Sequence, residues 1–63
     1  MISIGDMVTH DQFGIGEVVW INERRQSGHI LVRPIAIGVT AKDTYVHRVR
    51  KLNALELLAL EAA

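Results

Sequence analysis

Two hydrophobic patterns divide the chain of 63 residues at about Leu52. Before that point, apolar residues form short runs that are separated by glycine and by clusters of polar residues. Such runs, rich in valine, isoleucine and aromatic residues, are typical of short β-strands. After that point, apolar residues follow one another almost without a break, and the absence of glycine and proline favours a helix.

Four of the apolar runs are predicted to be strands, and one further segment is left open. The predicted strands are Asp6–His10, Glu17–Asn22, His29–Arg33 and Thr44–His47. The polar segment between the second and third strands ends at Gly28 and is predicted to be a hairpin loop. The segment Ile35–Asp43 is apolar but contains Gly38, and we expect either a strand or a loop that lies over the core.

The C-terminal segment carries the start signals of an α-helix. Asn53 is a preferred N-cap residue, and Glu56 stands three positions later, as in a capping box. Leu52 and Leu57 occupy the positions of a hydrophobic staple. These signals predict a helix from about Ala54 to Glu61.

This helix is apolar on two opposite faces. At 3.6 residues per turn, one face holds Leu55 and Leu58, and the nearly opposite face holds Leu57 and Leu60. A helix that is apolar on two sides is normally buried on both, and a single chain covers only one of them. We therefore predict a homo-oligomer, most simply a dimer, in which Leu57 and Leu60 form the contact. The alternative is a frayed tail with exposed leucines.

Four or five short strands followed by one helix predict a mainly β fold. The spacing fits a small SH3-like barrel of four to five antiparallel strands with one C-terminal α-helix. A chain of this length forms a single domain, residues 1–63, with the barrel at about 4–51 and the helix at about 54–61. The chain has no cysteine and no apolar run near the roughly 20 residues of a membrane span, so we expect a soluble cytoplasmic protein.

The stretch "HDQFGIGEVVWI" contains two glycines in the spacing Gly-x-Gly. A dinucleotide-binding loop needs a third glycine and a following helix, and a phosphate-binding loop needs Gly-Lys-Ser/Thr. The stretch has neither, so it predicts a tight turn into a strand. Gly14 supplies a positive φ at the turn, Gly16 lets the backbone bend into the barrel, and Phe13 packs under the turn.

The segment "GDMVTHDQFGIGEVVWI" resembles the start of SH3-like (Tudor-like) domains of bacterial nucleic-acid machinery. Two examples are the C-terminal domain of UvrD-type helicases and the RNA-polymerase-interacting domain of CarD-type proteins. The matching residues are Gly5, Asp6, Val8, His10, Phe13, Gly14, Gly16 and Val18. The later "TYVHRVRKLN" is similar to the last strand and short helical turn of such barrels. The resemblance implies contact with nucleic acid or RNA polymerase, although "VRPIAIGVTAKD" and the terminal helix depart from the family pattern.

Type II dihydrofolate reductases are also small SH3-like chains, and they build a catalytic pore from several copies. Their pore strand reads Val-Gln-Ile-Tyr, whereas the nearest segment of this chain is "DTYVHRV". That departure argues against reductase activity.

The chain has a net charge of zero, but its acidic and basic residues are unevenly distributed along the sequence. Residues 1–22 contain acidic residues and no lysine or arginine, the middle of the chain is basic, and the tail is acidic. We predict a cationic binding groove where the hairpin loop meets the end of the last strand; its residues are Arg24, Arg25, Arg48, Arg50 and Lys51. The alternative is an ordinary surface with solvated charges of both signs.

Histidine and aromatic residues supply the remaining candidate chemistry. His10, His29 and His47 lack a local ligand spacing, so we expect partly exposed hydrogen-bonding histidines rather than a zinc site. Trp20 is predicted to be core because its neighbours are apolar, whereas Tyr45 is a candidate binding residue.

No catalytic constellation, metal site or cofactor site is predicted. The function expected from the sequence is therefore a non-enzymatic SH3-like binding module in bacterial or phage nucleic-acid metabolism. The alternative is a protein–protein adaptor or inhibitor without nucleic-acid contact, and a third class is an oligomeric pore enzyme.

Overall fold

Five antiparallel strands form one curled half-barrel in the computed structural model, which describes residues 1–22 and 28–63. The strands are β1 (Met7–His10), β2 (Gly14–Ile21), β3 (His29–Pro34), β4 (Lys42–Tyr45) and β5 (Val49–Lys51). A 3₁₀ helix, Val46–Arg48, joins the last two strands, and helix α1, Ala54–Ala62, follows. The strand order is β4-β3-β2-β1-β5, so β1 pairs with both β2 and β5. The predicted fold class is confirmed.

Two features of the last strands differ from the prediction. The strand predicted at Thr44–His47 ends at Tyr45, and His47 lies in the 3₁₀ helix instead. Val49–Lys51 forms a separate fifth strand that pairs with β1. Its three residues carry two adjacent cations and show no alternation of apolar and polar positions, so the sequence pattern gives no signal for it.

The core consists of alternate residues on the three central strands. Val8, Val18, Ile30 and Val32 are completely buried and form one cluster. Their two-residue spacing follows from the pleat, which points alternate side chains to the same face of a sheet. Residues 35–41, in contrast, are exposed and contain no strand, so they do not form the expected loop over the core, whereas Lys42 and Asp43 at the end of that segment begin β4.

Gly14 and Gly16 act in the predicted ways. Gly14 has a φ of 82°, in the left-handed region that favours glycine, and pairs with His10 where the chain reverses. At Gly16, a Cβ would stand 2.5 Å from Val32 Cγ1 and 2.8 Å from the carbonyl oxygen of Arg33. The close approach of β2 and β3 therefore requires glycine at that position.

The prediction that Trp20 is core is wrong, and a β-bulge explains why. Val18 pairs with Val32, but Trp20 pairs with Leu31, so Val19 is an extra residue on β2. Regular alternation from the buried Val18 would point Trp20 inward. The bulge instead aligns it with the less buried side of β3, and the Trp20 side chain is 44% exposed.

Helix α1 begins at the predicted capping box. The Asn53 side chain accepts a hydrogen bond from the Glu56 backbone N–H, and the Asn53 N–H donates to the Glu56 carboxylate, at 2.8 and 2.9 Å. No residue of the helix is buried. Among the described residues, no helix is long and apolar enough to cross a membrane.

Candidate functional site

Four aromatic rings form a row across three neighbouring strands and the 3₁₀ helix. We call Trp20, His29, Tyr45 and His47 the aromatic strip. Ring centroids are 5.7 Å apart for Trp20 and His29, 5.5 Å for His29 and Tyr45, and 5.7 Å for Tyr45 and His47. His29 meets Trp20 edge-on, whereas Tyr45 and His47 lie nearly parallel, at 19°.

The topology explains how residues distant in the sequence come to form this strip. His29 on β3 pairs directly with Tyr45 on β4, and the bulge on β2 turns Trp20 toward the same side. The 3₁₀ helix then places His47 after Tyr45. The side chains of Trp20 and Tyr45 are 44% and 46% exposed, so a ligand can reach both rings.

A hydrogen bond fixes the centre of the strip. The Nε2 atom of His29 lies 3.1 Å from Oδ1 of Asp43, on the neighbouring strand. With one ring nitrogen held by this carboxylate, the imidazole keeps a defined orientation between Trp20 and Tyr45. This contact therefore helps to hold the central part of the strip in place.

A surface groove of about 250 Å³ lies beside Tyr45, the third ring of the strip. It separates the β1–β2 turn from β4 and the 3₁₀ helix, and its lining residues are His10, Gln12, Phe13, Lys42, Asp43, Thr44, Tyr45 and Arg48. His10 and Phe13 stack at 4.1 Å with almost parallel rings, which confirms that Phe13 packs at the turn. Tyr45 belongs to both the groove and the strip.

Among the described residues, ion pairs bring the acidic ends of the sequence into contact with its basic middle. Acidic residues of the N-terminal segment and the helix contact basic residues of the later strands and the 3₁₀ helix. The pairs are Asp6–Lys51 at 3.5 Å, Asp11–Arg48 at 4.0 Å, Glu17–Arg33 at 2.7 Å and Glu56–Arg50 at 2.8 Å. Lys42 forms no ion pair with a described residue.

Two carboxylates show the effect of these pairs on titration. The guanidinium of Arg50, together with the Asn53 backbone N–H, lowers the pKa of Glu56 to about 2. The backbone N–H of Ser3, assisted by the Lys51 ammonium, lowers the pKa of Asp6. Arg50 and Lys51 are thus already engaged by carboxylates of the same chain.

The structure brings together only part of the predicted cationic groove. Arg48 and Tyr45 line one groove, whereas Arg50 and Lys51 pair with carboxylates elsewhere. Arg24 and Arg25 lie outside the described residues. Sequence reasoning missed the ring contact between Trp20 and His29, because no local pattern marks a bulge. It also missed Lys42 as a residue of the groove.

The three histidines have different surroundings. His10 is buried and stacks on Phe13, whereas His29 and His47 both contact Tyr45. Within residues 1–22 and 28–63, no group of three or more histidine, aspartate or glutamate side chains is placed to hold a metal ion.

The helix exposes its leucines unequally. Leu55 and Leu58 are 75% and 64% exposed, while Leu57 is 36% exposed and Leu60 is half-buried. The largest unpartnered apolar surface of the helix therefore belongs to the first pair. Oligomerisation through Leu57 and Leu60 stays a prediction.

Comparisons of the chain with protein-family models, with curated proteins and with solved structures find no match. The curled five-stranded half-barrel with its C-terminal helix is compatible with an SH3-like fold.

Proposed function

We propose that this chain is a non-enzymatic SH3-like binding module that binds single-stranded nucleic acid on its aromatic strip. The observation that carries the proposal is the row of Trp20, His29, Tyr45 and His47, whose first and third rings are about half exposed. Stacking of a base on an aromatic side chain contributes about 1–3 kcal/mol and tolerates any base. A strip of rings is suited to such stacking.

Cations beside the strip support the same proposal. Lys42 and Arg48 line the groove next to Tyr45. Phosphate contacts supply most of the affinity in non-specific binding of nucleic acid. An aromatic row flanked by cations combines the two contributions.

The sequence resemblance to UvrD-type and CarD-type domains gives the proposal its setting. The residues of that resemblance, from Gly5 to Val18, build β1, its turn and the first half of β2. We place the chain in bacterial or phage nucleic-acid metabolism on this ground. The rings of the aromatic strip, however, lie outside that motif, on the second half of β2, on β3, on β4 and in the 3₁₀ helix.

A protein partner is the second candidate, because two of the expected phosphate-binding cations are occupied. Arg50 and Lys51 pair with Glu56 and Asp6, which lowers the net positive charge at that edge of the sheet. The exposed loop also presents Ile35 and Ile37 to solvent. These features favour an apolar protein surface, such as a face of RNA polymerase, over a purely electrostatic contact with nucleic acid.

The single tryptophan of the chain provides a direct test. Its emission is recorded while an oligodeoxythymidine of about ten nucleotides, within the range of known site sizes, is added. We expect quenching of Trp20 emission as a base stacks on the ring, and weaker binding of the single strand by Tyr45→Ala. Ile37→Ala removes an exposed apolar side chain outside the strip and is the matched control.

Two outcomes separate the candidates. Single-strand binding that Tyr45→Ala weakens and Ile37→Ala leaves unchanged supports the nucleic-acid proposal. The absence of both quenching and binding at low salt contradicts it and leaves the protein partner, which is then tested with purified RNA polymerase.

The module is also proposed to self-associate through α1. The helix has nine residues and no buried side chain, and isolated helices of this length are marginal in water. A second copy that covers its leucines would stabilise it and enlarge a thin core.

A further inference from the structure

We infer that the groove beside Tyr45 is a phosphate-binding site. The inference rests on the proposed function, since the phosphate is taken to belong to the strand whose bases lie on the aromatic strip. The site is formed by Lys42, Arg48 and His10, which line one groove of about 250 Å³. None of these roles follows from the sequence motif.

Two cations supply the charge. Lys42 is exposed and forms no ion pair with a described residue, so its ammonium is available. Arg48 meets Asp11 only at 4.0 Å, beyond a direct hydrogen bond, which leaves its guanidinium donors open to a ligand. Asp43, the carboxylate on the groove wall, is already held by His29.

His10 supplies a hydrogen-bond donor on a mostly buried side chain. Its Nδ1 accepts the backbone N–H of Gln12 at 3.1 Å, and a backbone amide always donates. The proton of the neutral ring therefore resides on Nε2, which has no hydrogen-bond partner among the described residues. The carboxylate of Asp11 also lies 3.2 Å from Nδ1, and its side chain is largely exposed to solvent.

The surroundings of His10 keep this donor in place. The side chain is about nineteen-twentieths buried, with 5% of its surface exposed, and its ring stacks on Phe13 at 4.1 Å. A donor that needs no reorganisation binds an anion better than a flexible one. A phosphate oxygen in the groove would receive this N–H together with the charges of Lys42 and Arg48.

The groove accommodates a single phosphate of a strand. Tyr45 lies on both the strip and the groove wall, so a base stacked on its ring would carry its own phosphate to the groove. The carboxylate of Asp43 also lines the groove, so each added anionic group increases the electrostatic repulsion there. The chemistry favours one phosphodiester rather than a polyphosphate.

The test compares two charge-removing variants. Lys42→Ala with Arg48→Ala removes the groove cations, and Arg33→Ala removes a cation that pairs with Glu17 outside the groove. Affinity for oligodeoxythymidine is measured from low to physiological salt. We expect the groove variant to bind about tenfold more weakly at low salt and to lose about 0.7 from the logarithmic salt slope, as one phosphate contact does. Arg33→Ala is expected to keep the wild-type slope.

Backbone amide shifts distinguish the source of the phosphate. We expect oligodeoxythymidine to shift the amide signals of Gln12 and Arg48. If these signals move with inorganic phosphate while no oligonucleotide binds, the proposed function fails and the groove is a site for free phosphate. If the oligonucleotide binds and the groove variant matches Arg33→Ala in slope and affinity, the phosphate site is overturned and the aromatic strip alone carries the binding.

Discussion

The guanidinium of Arg50 donates two hydrogen bonds to the carboxylate of Glu56, at 2.8 and 2.9 Å. This bidentate pair joins β5 to the first turn of α1, where Glu56 also completes the capping box. The same carboxylate thus caps the helix and attaches it to the sheet. Helix α1 has no buried residue, so the ion pair between Arg50 and Glu56 is an important part of its attachment to the sheet.

Acid is expected to loosen the helix at this link. Folding lowers the pKa of Glu56 from 4.5 to about 2, chiefly through the hydrogen bonds from Arg50. Stabilisation from a lowered carboxyl pKa is fully present above the unfolded pKa of 4.5 and is lost as the pH falls toward about 2. Amide signals of α1 should therefore broaden or shift across that interval. Glu56→Gln should show the loosened helix already at neutral pH and no such titration; an unchanged acid transition would contradict the assignment.

Gly14 and Gly16 are expected to respond differently to substitution. Gly14→Ala should lower the free energy of unfolding by about 1–2 kcal/mol, because alanine is strained at the left-handed φ of this position. Gly14→Asn should lower it less, because asparagine adopts that region more readily. Gly16→Ala forces a methyl group against the Arg33 carbonyl and the Val32 side chain. We expect it to lower the free energy of unfolding by about 3 kcal/mol or more. Urea denaturation measures both. Equal losses at the two positions, or rescue of Gly16 by asparagine, would be inconsistent with these separate roles.

Trp20 is expected to contribute little to stability despite its size. Because the bulge at Val19 leaves its ring half exposed, Trp20→Ala should lower the free energy of unfolding by about 1 kcal/mol or less. Ile30→Ala, in the buried cluster, should lower it by about 2–5 kcal/mol. Thermal unfolding of the two variants checks the order. A larger loss for Trp20 would restore its original assignment to the core.

Features that depend on local chemistry could be predicted from the sequence, and features that depend on pairing could not. The capping box of Asn53 and Glu56 and the turn at Gly14 are set by residues within a few positions of one another, and both are confirmed. The outward position of Trp20 depends on the register between β2 and β3. That register is a property of two strands together, and one extra residue reverses every later side chain.

The candidate site divides in the same way. Tyr45 and Arg48 were identified from their type and position, and they line one groove. The ion pair between Lys51 and Asp6 joins residues from opposite ends of the barrel sequence, and no hydrophobic periodicity predicts it. Long-range ion pairs of this kind engage Arg50 and Lys51, two of the five cations that were expected to form one basic groove.

Self-association through α1 is expected to depend more on Leu55 and Leu58 than on Leu57 and Leu60. The first pair is 75% and 64% exposed, so a second copy would bury more apolar surface there. Full burial of a leucine contributes roughly 1.5–3 kcal/mol relative to exposure, whereas half-buried side chains have less to gain. Sedimentation at tens of micromolar should show a dimer for the wild-type chain and a monomer for Leu55→Glu with Leu58→Glu.

Leu57→Glu with Leu60→Glu is the matched comparison for that prediction. These side chains are partly covered within the chain, so charging them should lower helix content as well as association. Circular dichroism separates the two effects, because the Leu55 and Leu58 variant should keep its helix signal while losing the dimer. A wild-type chain that sediments as a monomer throughout would show that the exposed leucines belong to a solvated tail, or await a different partner. A dimer that survives charges at Leu55 and Leu58 but not at Leu57 and Leu60 would return the contact to the face that the sequence predicted.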